Sequence, residues 1–305
     1  MDIRILSGLA EIADDYDLFI LDLWGVVHDG EAVFPGAVDC LQRLRRRDAH
    51  VVLLSNAAIP SAPLAEHQAK IGVTDDLYDW MLSSGEITAN AIAADAFCSG
   101  GSGGSGDSGG SGGSGVNARP TCFFIGSELH RITLEACGAR ETDIERAEFI
   151  LCAGLVDNKT EQPEDYRGIL RKGVDRGLTL VCANPDVVAN HGERLLPGAG
   201  ALAALYEEMG GTVQQFGKPF SPIYDRLFDE YLDIPRTRAV MIGDALPTDI
   251  RGARHAGIDA VWIGGGIHAD ALAMGPKGDL QPNMVHALAE QAGERPNAIL
   301  PWLIW

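Results

Sequence analysis

Four short segments of the sequence carry polar residues that together could hold a phosphoryl group and a magnesium ion. In chain order these residues are Asp22, Ser55 with Asn56, Lys218, and Asp244 with Asp249. A carboxylate can attack phosphorus and form an aspartyl phosphate, while hydroxyl, amide and ammonium groups stabilise phosphoryl oxygens. Several carboxylates in one place repel one another, and a hard cation such as Mg²⁺ relieves that repulsion. These residue types indicate metal-assisted hydrolysis through a covalent phosphoenzyme.

Each of these residues also fits a structural role when it is taken alone. Asp22 could close a turn, and Ser55 could cap a helix. Lys218 could be an ordinary surface lysine, and Asp249 could cap a helix without losing a function. The functional interpretation depends on all four segments occurring together in this order.

Short apolar runs, each followed by turn residues and a helical pattern, must position these groups. Three of the four segments follow such a run, as expected where buried parallel strands deliver polar residues to the carboxyl edge of a sheet. The runs are residues 18–21, 51–54, 122–125, 149–152, 178–181, 239–242 and 260–263. Residues 37–45 and 223–232 show the apolar spacing of amphipathic helices. The pattern predicts an α/β fold built on parallel sheets.

The order of the four segments resembles the haloacid dehalogenase (HAD) superfamily. The similarity is closest to class IIA, whose members carry a large α/β cap between the second and third motifs and often an Asn-Pro-Asp triplet, here Asn184-Pro185-Asp186. It covers residues 18–266. The resemblance implies a Rossmann-like parallel-sheet core with an inserted smaller α/β cap domain. It also implies a Mg²⁺-dependent phosphatase that acts on a small phosphorylated metabolite through an aspartyl phosphate.

The resemblance assigns a role to each candidate residue. The catalytic residues are Asp22 as nucleophile, Lys218, and Asp249, which either supports the metal or holds Lys218. The residues that bind phosphate or substrate are Ser55, Asn56, Asn184 and Asp186. The ligands of Mg²⁺ are the carboxylates of Asp22 and Asp244 and the backbone carbonyl of Trp24.

Trp24 departs from the family pattern, which has a second Asp at this position. That Asp is the general acid and base, whereas an indole N–H only donates and does not titrate usefully. Loss of a positioned general acid typically costs about 10²–10⁴-fold in rate. The chain must therefore use good leaving groups, borrow an acid, or be slow. His28 and Asp29 are candidates for the borrowed acid, and they fit equally well as solvated turn residues.

The tryptophan leaves two other functions open. One is a metal-independent haloacid dehalogenase-like hydrolase, in which a halide leaves without protonation. Asp244 and Asp249 speak against it, because that chemistry needs no metal and buried unpaired acids are costly. The other is a weakly catalytic protein that binds a phosphorylated metabolite.

The composition favours a small solute over a polyanionic partner. The chain has 305 residues, and its 24 Lys+Arg against 43 Asp+Glu give a net charge of −19, which opposes binding to nucleic acid or to anionic membranes. We expect a cytoplasmic protein, because the sequence shows no export signal and no apolar run of membrane-spanning length. The 6 cysteines lack CxxC spacing and are expected to be reduced.

The predicted domains are a catalytic core of residues 1–83 and 208–305 and an inserted cap of residues 84–207. Within the cap, residues 99–115 are Gly or Ser except for Asp107, which predicts a flexible loop of natural or engineered origin. The apolar C-terminal tail, residues 299–305, should pack on the core or on a partner subunit. A homo-oligomer through the cap or the tail stays open.

Overall fold

A computed structural model describes residues 3–94, 119–191, 194–275 and 278–305, which form a mixed α/β structure. The Gly/Ser segment of residues 99–115 lies outside the described residues. The strands are β1 Arg4–Ile5, β2 Leu18–Leu21, β3 His50–Ser55, β4 Trp80–Ser83, β5 Thr121–Ile125, β6 Arg140–Glu141, β7 Phe149–Cys152, β8 Thr179–Cys182, β9 Val188–His191, β10 Arg194–Pro197, β11 Thr212–Gln215, β12 Ala239–Gly243, β13 Asp259–Ile263 and β14 Ala298–Leu300.

The α-helices connect these strands. They are α1 Ala37–Arg46, α2 Ser61–Lys70, α3 Ser84–Ala93, α4 Arg131–Ala136, α5 Arg167–Asp175, α6 Ala199–Glu208, α7 Ser221–Glu230, α8 Arg251–Ala256 and α9 Pro282–Ala292. Helices α1 and α7 confirm the two amphipathic patterns, since each buries its apolar face and exposes its polar face. In the part of the chain that the structure describes, no helix is both long enough and apolar enough to cross a bilayer.

Two parallel sheets organise the fold. The first is 7-stranded, in the order β1-β14-β13-β12-β2-β3-β4, and the second is 5-stranded, in the order β11-β8-β7-β5-β6. The antiparallel pair β9-β10 forms a separate hairpin. The chain leaves the first sheet after β4 and returns to it at β12, so every strand of the second sheet belongs to an insertion. This topology confirms the Rossmann-like core with an inserted α/β cap.

Both faces of the first sheet are buried, which explains the continuous apolar runs. Along β2, Phe19 and Leu21 point into one hydrophobic core while Leu18 and Ile20 point into the other. Alternate side chains of a strand face opposite sides of the sheet, so a strand covered on both faces must be apolar throughout.

The edge strand β11 of the second sheet lies beyond residue 207, where the sequence predicted the end of the cap. Its sequence, TVQQ, is mostly polar, so it gave no apolar signal. The predicted domain boundaries stay a prediction.

The C-terminal tail packs on the core. Leu303 belongs to the hydrophobic core on the face of the first sheet that α1 covers. The carbonyl of Ile304 accepts a hydrogen bond of 2.8 Å from the Leu9 N–H. The described cysteines are free and buried, and Cys98 lies outside the described residues.

Candidate active site

Three neighbouring strands of the first sheet bring the first group of predicted residues together. Asp22 directly follows β2, Ser55 ends β3, and Asp244 directly follows β12. Strand β2 lies between β3 and β12 in the sheet, and all three run parallel. The three side chains therefore meet at one carboxyl edge, which is where open α/β sheets bind ligands.

Lys218 lies at the centre of this edge and is only 1% exposed. Its Nζ lies 2.6 Å from Asp22 Oδ1, 2.8 Å from Asp249 Oδ1 and 2.8 Å from the carbonyl oxygen of Leu54. The preceding Gly217 allows the close approach, because a Cβ at this position would lie 2.6 Å from Asn56 Oδ1. Two hydrogen bonds, to Asp22 and to the Leu54 carbonyl, and the ion pair with Asp249 thus fix the ammonium group in one place.

Asp249 lies behind Lys218 and is fully buried. It belongs to a π-helical turn, Leu246–Ile250, and its Oδ2 accepts a hydrogen bond of 3.0 Å from the Ala245 N–H. The sequence left two roles for Asp249, to support the metal or to hold Lys218. In the structure Asp249 contacts Lys218.

Asp22, Asp244 and Asp249 form a compact acidic cluster. A carboxylate oxygen from each lies within 4.8 Å of the others. The Ile267 N–H donates to Asp244 Oδ2 at 2.8 Å and fixes that carboxylate. Gly25, with φ of +75°, leaves the approach to Asp244 open, because a Cβ there would lie 2.0 Å from Oδ2. Three buried carboxylates thus face a single ammonium group.

The donor set of this cluster fits Mg²⁺. Magnesium prefers oxygen ligands and keeps several waters, so two carboxylates and a backbone carbonyl suffice for the protein share. Asp22 and Asp244 supply the carboxylates. Among the described residues, the backbone N–H groups around Trp24 donate to the carbonyls of Leu23 and His28, and none donates to the Trp24 carbonyl.

Burial and charge shift the pKa values of the cluster. Burial raises the pKa of Asp22 to about 7, with Lys218 opposing the rise and Asp249 adding to it. Burial, and then the charges of Asp22 and Asp249, raise the pKa of Asp244 well above its usual value. For Lys218, burial alone lowers the pKa, but the two aspartates more than reverse this and its pKa is raised. The amine therefore stays charged, while the raised pKa values of Asp22 and Asp244 reflect the cost of ionising several buried carboxylates around it.

Asn56 links the core to the cap. Its side chain accepts from the Lys218 N–H at 2.8 Å and donates to the Lys218 carbonyl at 3.0 Å and to Asp186 Oδ1 at 2.7 Å. Asp186 follows β8 in the cap, and its own N–H donates to Asn184 Oδ1 at 2.9 Å. Burial raises the pKa of Asp186 to about 6, against the hydrogen bond from Asn56. Ser55 Oγ accepts from the Ala57 N–H at 3.1 Å, which leaves the hydroxyl hydrogen for a ligand.

The indole of Trp24 lines the cavity of this site, at the position where the family resemblance implied a general acid. It packs against the core and makes an edge contact with the ring of His28, the ring centroids being 5.2 Å apart. A Cβ at Gly30 would lie 2.2 Å from the indole ring, so Trp24 covers this glycine closely. The indole is therefore a packed side chain with no acidic function.

Neither candidate for a borrowed acid is placed to serve the reaction. His28 is fully buried and is therefore not a solvated turn residue, and burial lowers its pKa to about 4, so the ring is neutral near pH 7. Its Nδ1 accepts from the Gly30 N–H at 2.9 Å. The Asp29 carboxylate accepts from the N–H groups of Glu31 and Ala32, and it lines a second cavity that Asp22 does not reach.

A cavity of about 640 Å³ lies where the carboxyl edges of the two sheets face each other. The predicted residues that line it are Asp22, Trp24, Ser55, Asn56, Asn184, Asp186, Lys218 and Asp244. Asp249 does not reach the cavity and contacts Lys218 from behind. The structure thus brings all nine positions into one site.

Sequence reasoning missed several groups of this site. The Ile267 N–H follows a Gly-Gly-Gly segment that resembled an ordinary turn. His130 lines the cavity from the cap, and its Nδ1 lies 3.2 Å from the Ser127 N–H. No short motif surrounds these residues. Only the register of the second sheet, which places Ser127 after β5, could have indicated them.

Comparisons with known proteins show the family of this chain. The haloacid dehalogenase-like hydrolase model matches residues 19–140, and the HAD-hydrolase-like model matches residues 215–297. The crystal structure of a hydrolase of the haloacid dehalogenase-like family from Brucella suis 1330 is 31% identical and superposes with a TM-score of 0.80. The match covers 98% of this chain and 100% of that chain. This chain belongs to the haloacid dehalogenase-like hydrolase family.

Two further relatives carry specific names. The acid sugar phosphatase of Staphylococcus haemolyticus is 22% identical over 254 residues, which are 83% of this chain and 87% of that protein. A glycerol phosphate phosphatase from Mycobacterium tuberculosis, solved in complex with magnesium, is 24% identical with a TM-score of 0.61. That match covers 87% of this chain and 74% of the other.

Proposed function

We propose that this hydrolase is a Mg²⁺-dependent phosphatase of class IIA that acts on a small phosphorylated metabolite through an aspartyl phosphate on Asp22. One observation carries the proposal. Lys218 holds Asp22 and Asp249 together, and of these two carboxylates only Asp22 lines the cavity, with its side chain 12% exposed against 0% for Asp249. The accessible carboxylate of a charged, fixed cluster is the natural nucleophile.

Each residue has a part in the proposed reaction. Asp22 attacks phosphorus while the bond to the leaving oxygen breaks, and water then cleaves the aspartyl phosphate to phosphate and free Asp22. Lys218 neutralises negative charge on Asp22 and on the transferred group. Ser55 donates its hydroxyl hydrogen to a phosphoryl oxygen, and Asn56 keeps Lys218 in place. When bound by Asp22, Asp244 and the Trp24 carbonyl, Mg²⁺ supplies positive charge against the phosphoryl oxygens.

Trp24 sets the expected range of leaving groups. The indole cannot protonate a leaving oxygen, and His28 and Asp29 lie outside the cavity. Aryl and acyl phosphates, whose leaving groups need no proton, should therefore react faster than alkyl phosphates.

The relatives support the reaction class. They include an acid sugar phosphatase and a glycerol phosphate phosphatase whose structure was solved in complex with magnesium. The Asn-Pro-Asp triplet after β8 and an α/β cap inserted between β4 and β12 support class IIA. The acidic cluster speaks against a metal-independent dehalogenase, because three buried carboxylates with one cation need a further positive charge.

The test is phosphate release from aryl, acyl and alkyl phosphates with Mg²⁺ and with a chelator. We expect hydrolysis of aryl and acyl phosphates only when Mg²⁺ is present. Halide release from haloacids in chelator would establish the dehalogenase instead. Tight binding of phosphate esters without turnover would establish the weakly catalytic binding protein.

A further inference from the structure

The cap contributes an apolar wall to the cavity that contains Asp22. The wall is defined by six residues from the segment after β5 and the start of α4, from the loop after β7 and from the β9–β10 hairpin. They are Leu129, Ile132, Leu155, Val156, Val188 and Leu196. The charged cluster of the core lines the same cavity, so a phosphate bound at Asp22 would point the rest of its molecule toward this wall.

Most of the wall is unusually accessible. Leu129 is 68% exposed, Val156 is 56% exposed and Val188 is 40% exposed. Large aliphatic side chains are usually buried, and a cluster of exposed ones commonly marks a binding surface. Leu155 and Leu196 are buried and anchor the wall to the cap. The exposed members therefore present an apolar surface that a ligand can cover.

In the part of the cavity lining that the structure describes, the cap supplies no Lys or Arg side chain that could bind a second anion beside the wall. Among the described residues lining the cavity, the Lys side chains are Lys218, already held by Asp22, and Lys70, an exposed residue of α2 in the core. The Asp157 carboxylate is engaged by the Lys159 N–H and by the Thr160 hydroxyl. A second anionic group would thus meet carboxylates and no cap cation.

The cavity has room for a substantial leaving group. Its volume of about 640 Å³ lies in the middle of the range typical of small-molecule pockets, roughly 300–1,000 Å³. A body of two fused rings fits such a volume and would cover aliphatic side chains on one face.

We infer that the apolar wall selects phosphate monoesters whose leaving group is an uncharged aromatic body, over sugar phosphates and over esters with a second anion. The inference rests on the proposed phosphatase activity and names its substrate class. It agrees with the absence of an acid at Trp24, because an aryl oxygen leaves without protonation.

The experiment compares esters of the same reaction type. With Mg²⁺, kcat/KM is measured for 2-naphthyl phosphate, phenyl phosphate, 4-carboxyphenyl phosphate and glucose 6-phosphate. We expect 2-naphthyl phosphate to exceed phenyl phosphate by roughly 10-fold, since an apolar pocket gains about this much from added apolar contact. The carboxylated ester and the sugar phosphate should fall below phenyl phosphate.

A double variant tests the wall itself. Leu129→Asn with Val156→Asn should bring the ratio of 2-naphthyl to phenyl phosphate close to one. The control is Leu232→Asn, because Leu232 is 79% exposed but does not line the cavity. The control should keep the wild-type ratio.

The outcomes separate this inference from the proposed function. Glucose 6-phosphate hydrolysed as well as the naphthyl ester, or an unchanged ratio in the double variant, would overturn the apolar wall while the phosphatase stands. If no ester is hydrolysed, the proposed phosphatase activity is wrong. Calorimetry then measures the binding of 2-naphthylmethylphosphonate and of methylphosphonate, which tests the apolar wall without catalysis. If the wild type binds the naphthyl compound more tightly than methylphosphonate and the double variant does not, the apolar wall is supported. Equal binding of the two compounds by the wild type overturns it.

Discussion

Two clusters of charged residues pack around β12 and α8, and they solve the problem of burial in opposite ways. In the acidic cluster, the carboxylates of Asp22, Asp244 and Asp249 surround the single ammonium of Lys218. In the second cluster, one carboxylate, Glu294, is bound by two guanidinium groups. The first cluster carries excess negative charge and the second carries excess positive charge.

The excess positive charge of the second cluster is hydrated. Glu294 is 2% exposed and accepts from Arg251 Nε at 2.7 Å and from Arg254 Nε at 3.1 Å. The two arginine side chains are 38% and 54% exposed, so water solvates their surplus charge. Every charge is thus paired or hydrated, as expected of an ion pair that ties α8 to the segment after α9.

The charges of the acidic cluster are not hydrated in this way. Its surplus carboxylates are buried, and the pKa values of Asp22 and Asp244 rise in response. An interior that keeps unbalanced charge sacrifices stability, and proteins retain such arrangements mainly at functional sites. The contrast teaches that the imbalance of charge, more than its burial, distinguishes the candidate active site.

The largest expected effect comes from removing the nucleophile. Asp22→Asn keeps the size of the side chain but cannot form an aspartyl phosphate, so kcat on aryl phosphates should fall by about 10⁴-fold or more. Steady-state phosphate release checks this. Glu294→Gln is the matched control from the other cluster and should keep wild-type kcat. Comparable loss in both variants would contradict the proposed division between the clusters.

The second effect comes from adding a fourth carboxylate to the acidic cluster. Trp24→Asp introduces a carboxylic acid beside Asp22, and alkyl phosphate hydrolysis should rise by up to roughly 10²–10⁴-fold with the Mg²⁺ requirement kept. Trp24→Asn is the matched neutral variant, and it should lose the same packing without gaining the acid.

Packing sets the condition for this test. The indole is partly buried and packs against the core; removal of a fully buried tryptophan can cost about 3–5 kcal/mol, which sets an upper bound here. Rates count only for variants that melt cooperatively near the wild-type temperature. Equal rates for folded Trp24→Asp and Trp24→Asn would speak against a phosphatase limited by a missing acid.

A third pair of variants should change stability in opposite directions. Glu294→Gln removes the anion that two arginines bind, and the free energy of unfolding should fall by about 3 kcal/mol, since each such charged hydrogen bond contributes about 1.5–3 kcal/mol. Asp244→Asn removes a carboxylate whose ionisation the cluster resists, and it should raise the metal-free melting temperature, with the larger rise at higher pH. Denaturant unfolding and thermal melting measure the two effects.

Magnesium gives this pair a second readout. Mg²⁺ should raise the melting temperature of the wild type and of Glu294→Gln, because it binds the folded state alone. Asp244→Asn should show no such rise. Identical wild-type curves in Mg²⁺ and in chelator would remove the basis for a metal at Asp22 and Asp244.

Sequence reasoning found the residues that follow apolar strands. Asp22, Ser55 and Asp244 come directly after or at the end of buried runs, and parallel strands necessarily bring such positions to one edge. The order of motifs added Lys218, which follows the mostly polar strand β11 and has no local signal of its own. The fold class followed from the same alternation of runs and helices.

Local sequence patterns could not predict the full second sheet or the apolar wall. Strand β11 and the β9–β10 hairpin lack the continuous apolar runs of buried strands. Leu129 and Val156 look like core residues in the sequence, and only the structure shows that they are exposed beside Asp22. The burial of His28 also depends on tertiary packing, so the sequence left it as a candidate acid in a turn.

His28 shows a third way to bury a titratable group, which is to keep it neutral. Burial lowers its pKa from 6.5 to about 4, so between these values the unfolded chain binds a proton that the folded protein does not. By linkage, the stabilisation that depends on neutral His28 is complete above pH 6.5 and is lost as the pH falls toward 4.

The smallest predicted effect tests this linkage. His28→Asn can keep an acceptor for the Gly30 N–H and cannot titrate. Between pH 7 and pH 5 the wild type should lose roughly 1.5 kcal/mol more free energy of unfolding than the variant. Urea unfolding at the two pH values measures the difference, and the other titrating groups cancel in the comparison. The acidic cluster acts in the opposite sense, because its raised carboxylate pKa values make the metal-free fold lose stability as the pH rises toward 7. A variant whose pH dependence matches the wild type would show that folding does not lower the pKa of His28.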